Sequence, residues 1–198
     1  AFEAFLLSIG LADSTLALKR ERDAAMRLAE RDALTGVYNR RGFELRLKTR
    51  LNAGKGGTLL MCDLDHFKRI NDGFGHSAGD RCLQIFVERA KRVLPETCEL
   101  GRYGGEEFVV LLTATGTQAR LLAERLRQEL ADTPVLVDEH RINLTVSIGM
   151  ADIAPFSLPT TASLFALADA ALYRAKAEGR NRVIMADRIR NASENAVR

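Results

Sequence analysis

The chain has 198 residues, of which 46% are hydrophobic and 28% charged, so it can bury a core without a disulfide or metal to hold it. Its 29 basic and 26 acidic residues give a net charge of +3. This excess is too small to indicate nucleic-acid binding by charge alone, although it suits a site for anionic nucleotides. The three cysteines lack paired short spacing, which argues against a disulfide framework and a zinc ribbon. We therefore expect a protein of the reducing cytoplasm.

Residues 1–31 are predicted to form one helix. Apolar residues recur there at alternating steps of three and four from Ala4 to Leu28, although Ser14 and Glu21 interrupt the pattern. The helix either lies on the surface of its own domain or forms a parallel dimeric stalk, and the narrow apolar stripe favours the stalk. The opening segment lacks the features of a signal peptide and is too short to span a bilayer. Because no initiator Met is present, we expect the chain to be a piece of a longer protein.

The rest of the chain alternates between helical and strand patterns, and residues 188–198 are predicted to form a tail. A polar, turn-rich segment is expected at 68–79, and a two-residue hairpin turn at Gly104-Gly105. Helices are predicted at 41–51, 80–94, 117–130 and 163–178, and strands at 58–65, on both sides of Gly104-Gly105, at 135–137, at 141–151 and at 182–185. This order predicts an α+β fold, a mostly antiparallel sheet with helices packed on one face.

Two pairs of carboxylates lie where predicted strands end. Asp63 and Asp65 close an apolar strand, and Glu106 and Glu107 follow the Gly-Gly turn. Burial of a carboxylate at a strand end is costly unless it is paired or binds a cation, and adjacent strand residues point to opposite faces. One carboxylate from each pair, with phosphate oxygens, can form a Mg²⁺ site for phosphoryl transfer. At this level, simple solvation of acidic residues near turns explains the pattern better.

Four blocks of sequence resemble the GGDEF family of diguanylate cyclases. They are "DALTGVYNRRGF" (residues 32–43), "DLDHFKRINDGFGHSAGD" (63–80), "RYGGEEF" (102–108) and "ALYRAKAEGRNRV" (171–183). They follow the family's order and together reach from residue 32 to 183, which is far more specific than a single motif. The domain that resembles the family is taken as residues 32–187.

The resemblance implies a palm-like fold, similar to polymerases and nucleotide cyclases, and the condensation of two GTP into cyclic di-GMP and two pyrophosphates. In that reaction the 3′-hydroxyl of each GTP attacks the α-phosphate of the other. By position, Asp63, Glu106 and the Leu64 carbonyl match the ligands of two Mg²⁺ ions, for which Mn²⁺ can substitute. Glu106 also matches the general base, and Glu107 has a supporting role. Each domain holds one GTP, so a homodimer is implied.

The resemblance also assigns substrate-binding residues. Three cations match contacts to the triphosphate, Lys68, Lys176 and Arg180. Asn71 and Asp80 match a pair that reads guanine, whose hydrogen-bonding edge suits an amide and a carboxylate. Turn formation by Asn71, helix capping by Asp80 and a solvated helix end for the cations are the structural alternatives. Two further positions, Gly104 and Gly105, are expected to let the backbone approach a phosphate.

One block departs from the family pattern. Many members carry an inhibitory Arg-x-x-Asp that ends six residues before the first Gly of the signature, and here residues 95–98 read "PETC". Without that arginine and aspartate, weak or absent product inhibition through this site is expected.

The remaining expectations concern the role of the chain. The resemblance implies an upstream sensory domain and, in some relatives, a tether to the inner membrane. The alternative function is a catalytically inactive module that binds GTP or cyclic di-GMP as a receptor or scaffold. The cyclase is favoured because Asp63, Glu106, Glu107, Lys68 and Lys176 are all present. A cyclase for another nucleotide is disfavoured by Asn71 and Asp80.

Overall fold

The computed structural model describes residues 29–155 and 160–186. Most of the helix predicted at 1–31 and all of the tail predicted at 188–198 therefore lie outside the described residues. Of the helices within the described ranges, none is long and apolar enough to cross a membrane.

The elements follow one another in short alternation along the chain. In order they are β1 (Tyr38–Asn39), α1 (Arg40–Asn52), β2 (Gly57–Leu64), α2 (Phe67–Phe74), α3 (His76–Val93), β3 (Glu99–Arg102), β4 (Glu107–Leu112), α4 (Gly116–Asp132), β5 (Val135–Val137), β6 (His140–Ile142), β7 (Val146–Ile153), α5 (Thr161–Ala177) and β8 (Val183–Met185).

Six of these strands form one mixed sheet in the order β1-β3-β4-β2-β7-β8. The three central pairings, β3 with β4, β4 with β2 and β2 with β7, are antiparallel, and the two outer pairings are parallel. Strands β5 and β6 form a separate hairpin. Every residue of the central strand β2 is buried, which explains its unbroken apolar run. The α+β class and the mostly antiparallel sheet are confirmed.

The helices pack on both faces of the sheet, so the prediction that they share one face is wrong. Residues of β2 alternate between two cores because successive strand side chains point to opposite faces. Leu60 and Cys62 pack with α3 and α4, whereas Leu59 and Met61 pack with α1 and α5. A strand that is apolar on both faces needs a helical layer on each, and the continuous run in β2 already contained that information.

Three local predictions also differ from the structure. The segment at 68–79 is helical, because Phe67 and Ile70 bury one side of α2 and α3 begins at His76. The strand predicted at 141–151 is two strands, β6 and β7. The hairpin between β3 and β4 has a loop of residues 103–106 rather than a two-residue turn, and the amides of Tyr103 and Gly104 both donate to the Glu107 carbonyl.

Helix α5 lies directly against β7, which fixes the position of its C-terminal end. Thr160 caps its start, where the threonine side chain accepts a hydrogen bond from the Ser163 amide at 3.1 Å. A Cβ atom on Gly149 of β7 would overlap the Ala168 carbonyl oxygen and the Leu172 backbone. Because backbone atoms cannot swing aside as a flexible side chain can, only glycine lets the helix approach this closely.

Substitution of Gly149 is expected to separate α5 from the sheet. Gly149→Ala should lower the free energy of unfolding by about 3 kcal/mol, the upper part of the range for an overfilled core, as measured by urea denaturation. Gly73→Ala is the matched control, since nothing lies within 4 Å of the new methyl group. In the helical position of Gly73, alanine should be neutral or stabilising. Equal denaturation midpoints for the two variants would contradict this account of the helix–sheet contact.

Candidate active site

An acidic cluster forms at the end of the sheet where β2 finishes and β4 begins. In the antiparallel register Asp63 lies opposite Glu107, and the Leu64 amide donates to the Glu106 carbonyl at 3.3 Å. Asp63 is 8% exposed, while the two glutamates are half-buried. The structure thus brings together Asp63, Leu64, Glu106 and Glu107 from two segments more than 40 positions apart in the sequence.

Asp63 is paired with a lysine from α5. Lys176 Nζ lies 2.7 Å from Asp63 Oδ2, in the last turn of the helix that Gly149 holds against the sheet. Burial raises the pKa of the Asp63 carboxyl above its usual range. The hydrogen bond and charge of Lys176 oppose that rise, and the nearby Glu106 and Glu107 carboxylates add to it. The ion pair with Lys176 therefore does not fully offset the cost of burying the Asp63 carboxylate beside two other carboxylates.

Glu107 lies on the same face of the sheet as Asp63 and folds back over the hairpin loop. A Cβ atom on Gly104 would overlap Glu107 Oε2, so the first glycine of the pair makes room for this carboxylate. Nothing lies within 4 Å of the Cβ position at Gly105, which is exposed. The loop therefore presents open backbone beside the acidic cluster, as a site for a phosphate requires.

Asp65, the second aspartate at the end of β2, has a different environment. Its carboxylate accepts hydrogen bonds from the Ser147 hydroxyl at 2.7 Å, the Thr145 hydroxyl at 2.8 Å and the backbone N–H of Asn181 at 3.0 Å. These donors come from β7, the residue before it and the loop after α5. Since its oxygens are already satisfied, Asp65 is suited to tying these segments together rather than to binding an ion.

Arg102 anchors the hairpin loop, and sequence reasoning had assigned it no role. Its guanidinium donates to the Gly105 carbonyl at 2.8 and 3.0 Å and forms an ion pair with Asp32 at 3.3 Å. Burial tends to raise the pKa of Asp32, but hydrogen bonds from Thr35 and the charge of Arg102 outweigh it, so that the pKa is lowered. The sequence did offer a signal for this ion pair, because Asp32 and Arg102 each open one of the four blocks that resemble the family.

Tyr103 anchors the same loop from the other side. Its ring stacks on Phe165 of α5 at 4.7 Å, and the Arg40 guanidinium lies 4.5 Å from the ring centre. The tyrosine hydroxyl donates to Glu44 at 3.1 Å. Contacts with α1 and α5 therefore hold the loop in place, and sequence reasoning missed this role because Phe165 is more than 60 positions away.

Asn71 and Asp80 lie close to each other at the junction of α2 and α3. A Cβ atom on Gly79 would overlap the Asn71 side-chain oxygen, so Asn71 covers the backbone next to Asp80. Asn71 is inside α2 and Asp80 is the fifth residue of α3, so turn formation and helix capping do not explain them. Among the described residues, Asp80 has no ion-pair partner, and its exposed carboxylate is available to a ligand.

The three predicted phosphate-binding cations lie on two elements. Lys68 is exposed in the first turn of α2, one turn before Asn71, so the two residues share one side of the helix. Lys176 is occupied by Asp63. Arg180 is exposed in the loop after α5, in a left-handed backbone conformation with φ of 63°. The structure places only Lys176 in direct contact with the acidic cluster.

The oxygens of Asp63, Glu106 and the Leu64 carbonyl suit Mg²⁺, but they are too few to hold the ion alone. Carboxylate and carbonyl oxygens are the hard ligands that this ion prefers. Within residues 29–155 and 160–186, however, no three His, Cys, Asp or Glu side chains are gathered closely enough to hold an ion alone. Phosphate oxygens would have to complete the shell, and Lys176 would have to leave Asp63 Oδ2.

The two aspartates are expected to affect stability in opposite directions. Because the pKa of Asp63 is raised, its ionised form is disfavoured in the folded state, and Asp63→Asn should increase the free energy of unfolding near neutral pH. This gain should shrink as the pH falls towards the ordinary pKa of 3.8 and vanish below it, where Asp63 is protonated in both the folded and the unfolded state. Asp65→Asn is the control, and loss of an acceptor among three donors should cost about 1–3 kcal/mol. Urea denaturation across this pH range measures both, and destabilisation by Asp63→Asn at neutral pH would contradict the assignment.

A family model described as "Diguanylate cyclase, GGDEF domain" matches residues 29–182. Among curated proteins, the chain is 42% identical over 160 residues to the diguanylate cyclase DgcP of Pseudomonas aeruginosa, covering 78% of this chain and 24% of that protein. It is 39% identical over 177 residues to the response regulator PleD of Caulobacter vibrioides, covering 84% and 38%. The chain thus spans less than half the length of these relatives.

The fold is likewise similar to that of a solved member of the family. The coiled coil and GGDEF domain of DgcB from Caulobacter crescentus, crystallised in complex with c-di-GMP, aligns with a TM-score of 0.77 and 31% identity. The alignment covers 91% of this chain and 99% of that one. With the four sequence blocks, the mixed sheet and the acidic hairpin described above, these similarities show that the chain belongs to the GGDEF-domain family of diguanylate cyclases.

Proposed function

We propose that this chain is the catalytic part of a diguanylate cyclase, which condenses two GTP molecules into cyclic di-GMP. Two P–O bonds form as each ribose 3′-oxygen attacks the α-phosphate of the other nucleotide, and two break as pyrophosphate leaves. The observation that carries the proposal is the meeting of Asp63, Glu106 and Glu107 beside the open Gly104-Gly105 loop. A buried carboxylate with two half-buried carboxylates beside it suits the binding of a cation, which favours the cyclase over an inactive relative.

The residues around this loop have distinct roles in the proposal. Asp63, Glu106 and the Leu64 carbonyl would hold Mg²⁺, which supplies charge neutralisation at the attacking and leaving oxygens. Glu106 accepts the proton of the 3′-hydroxyl, and Glu107 keeps the loop in shape through its position over Gly104. The cations bind the triphosphate: Lys68, Lys176 and Arg180.

Selectivity for guanine is assigned to the junction of α2 and α3. Asn71 offers both a donor and an acceptor, and the Asp80 carboxylate accepts from the N1 and N2 hydrogens of guanine. Adenine would present an acceptor at N1 to that carboxylate, so it would leave the pair mismatched. The exposure of Asp80 and its closeness to Asn71 across Gly79 support this role.

One such site holds one GTP, so the reaction needs two domains facing each other. We infer a homodimer, with the segment at 1–31 as the stalk that aligns the domains and with an upstream regulatory domain outside this chain. The relative PleD, named a response regulator, fits this arrangement of a cyclase domain under the control of another domain.

Incubation with GTP and Mg²⁺ is expected to yield cyclic di-GMP, and ATP should give no product, as resolved by chromatography. Glu106→Gln should reduce turnover by about 10²–10⁴-fold, because it removes both a general base and a metal ligand. Glu96→Gln is the matched control, since Glu96 is exposed and lies away from the acidic cluster. GTP binding without turnover by the unaltered chain would favour the receptor, and full turnover by Glu106→Gln would remove the metal assignment.

A cavity of about 440 Å³ lies beside the position of the missing inhibitory motif. Pro95, Glu96 and Cys98 line it, together with Lys91 and Glu99. Burial and the neighbouring Glu99 carboxylate raise the pKa of the Cys98 thiol, so this position carries no charge near neutral pH. Arg31 and Lys91 also line the cavity and offset the charges of the two glutamates. The sequence "PETC" in place of an Arg-x-x-Asp at 95–98, rather than charge repulsion, therefore supports the proposal that product does not inhibit through this site.

Product inhibition through residues 95–98 is therefore expected to be weak or absent. The rate of GTP turnover should stay constant as cyclic di-GMP is added, whereas Pro95→Arg combined with Cys98→Asp should introduce inhibition by restoring the bidentate cation and its acidic companion. Glu99→Gln with the native residues at 95–98 controls for a change in cavity charge alone. Submicromolar inhibition of the unaltered enzyme that is abolished by changes at 95–98 would refute the proposal.

A further inference from the structure

Lys176 has two anionic partners available, and its single positive charge cannot neutralise both. Its Nζ lies 2.7 Å from Asp63 Oδ2, which is a direct, charge-assisted hydrogen bond. In the proposed function the same ammonium binds the triphosphate. The side chain is 34% exposed, whereas that of Asp63 is only 11% exposed, so the lysine can turn towards a ligand and the aspartate cannot turn away.

A divalent ion would compete with Lys176 for the carboxylate of Asp63. Asp63 Oδ2, the oxygen that Lys176 holds, belongs to the carboxylate proposed as a metal ligand. An ammonium and a divalent ion on one carboxylate repel each other strongly at that distance. Within the part of the chain described, no three acidic side chains lie close enough together to enclose an ion, so without phosphate oxygens the proposed site would bind a divalent ion only weakly.

We propose that Lys176 is an internal counter-cation that holds Asp63 until the nucleotide arrives, then exchanges that carboxylate for a phosphate while the divalent ion takes its place on Asp63. Metal and nucleotide binding are thereby coupled through one ion pair. This inference rests on the proposed function, because it takes Asp63 as a metal ligand and Lys176 as a phosphate ligand.

The exchange has a thermodynamic consequence that does not require turnover. A nucleotide that draws Lys176 away raises the affinity of the site for metal, and by reciprocity the metal raises the affinity for nucleotide by the same factor. In the absence of nucleotide, Lys176 competes with the ion. Removal of the lysine should therefore strengthen metal binding to the free protein.

The test is a titration of the full 198-residue chain with Mn²⁺ alone, with unbound ion measured by electron paramagnetic resonance. Lys176→Met should bind Mn²⁺ about tenfold more tightly than the unaltered chain, a change of the size expected for loss of one competing ion pair. Lys176→Arg keeps a cation on Asp63 and should bind Mn²⁺ as weakly as the unaltered chain. In the presence of a non-hydrolysable GTP analogue, the advantage of Lys176→Met should disappear.

Two further variants separate competition from a general change in charge. Arg180→Met removes an equal charge that has no contact with Asp63, and it should leave Mn²⁺ affinity without nucleotide unchanged. Asp63→Asn combined with Lys176→Met should show no gain over Asp63→Asn alone, because the two effects act through one contact. Equal Mn²⁺ affinities for Lys176→Met and the unaltered chain, or an equal gain in Arg180→Met, would overturn the proposal.

Failure of the proposed function would look different. If the chain makes no cyclic di-GMP but Lys176→Met still gains Mn²⁺ affinity through Asp63, the ion-pair exchange stands and the cyclase assignment falls. If cyclic di-GMP is made and Mn²⁺ affinity does not respond to Lys176→Met, the cyclase stands and the exchange falls.

Discussion

The antiparallel register of β2 and β4 is the constraint on which the site depends. It sets Asp63 opposite Glu107, so carboxylates that are distant in sequence share one end of the sheet. A shift by one residue would turn the side chain of Asp63 to the other face and into an apolar core. The two cores prevent that shift, because Leu60 and Leu59 of the same strand belong to opposite faces. Packing of apolar residues thus fixes the position of charged ones.

Asp63 and Asp65 show how the surroundings give the same residue type two purposes. Both are buried at the end of β2, yet three donors surround the carboxylate of Asp65, while one flexible lysine and two further carboxylates surround that of Asp63. A fully bonded carboxylate stabilises the fold, and a partly compensated one stays open to a cation. The carboxylate of Asp65 thus secures the segments that surround Asp63.

A feature could be predicted from the sequence when it depends on residues that are close together along the chain. Strand β2 and the long helices were predictable from apolar runs and periodicity, and the acidic candidates from blocks of sequence. Helix α2 was not, because its polar residues favour turns and only burial of Phe67 and Ile70 makes it helical. The partners of Asp65 and the stacking of Tyr103 on Phe165 were also out of reach, since they join residues at least 60 positions apart.

In the proposed function, the contact between Lys176 and Asp63 accounts for how a site for anions could also present carboxylates. The phosphates of a nucleotide would be repelled by Asp63, Glu106 and Glu107 if all three were uncompensated. A lysine held on Asp63 lowers that repulsion without a bound ion, and the length of its side chain lets it turn to a phosphate from the same helical position. Its backbone can stay still meanwhile, because Gly149 lets α5 pack against β7 without a gap. Under the proposed function, a helix held in place by this contact and bearing one long, cationic side chain would let acidic residues and a triphosphate occupy the same small region.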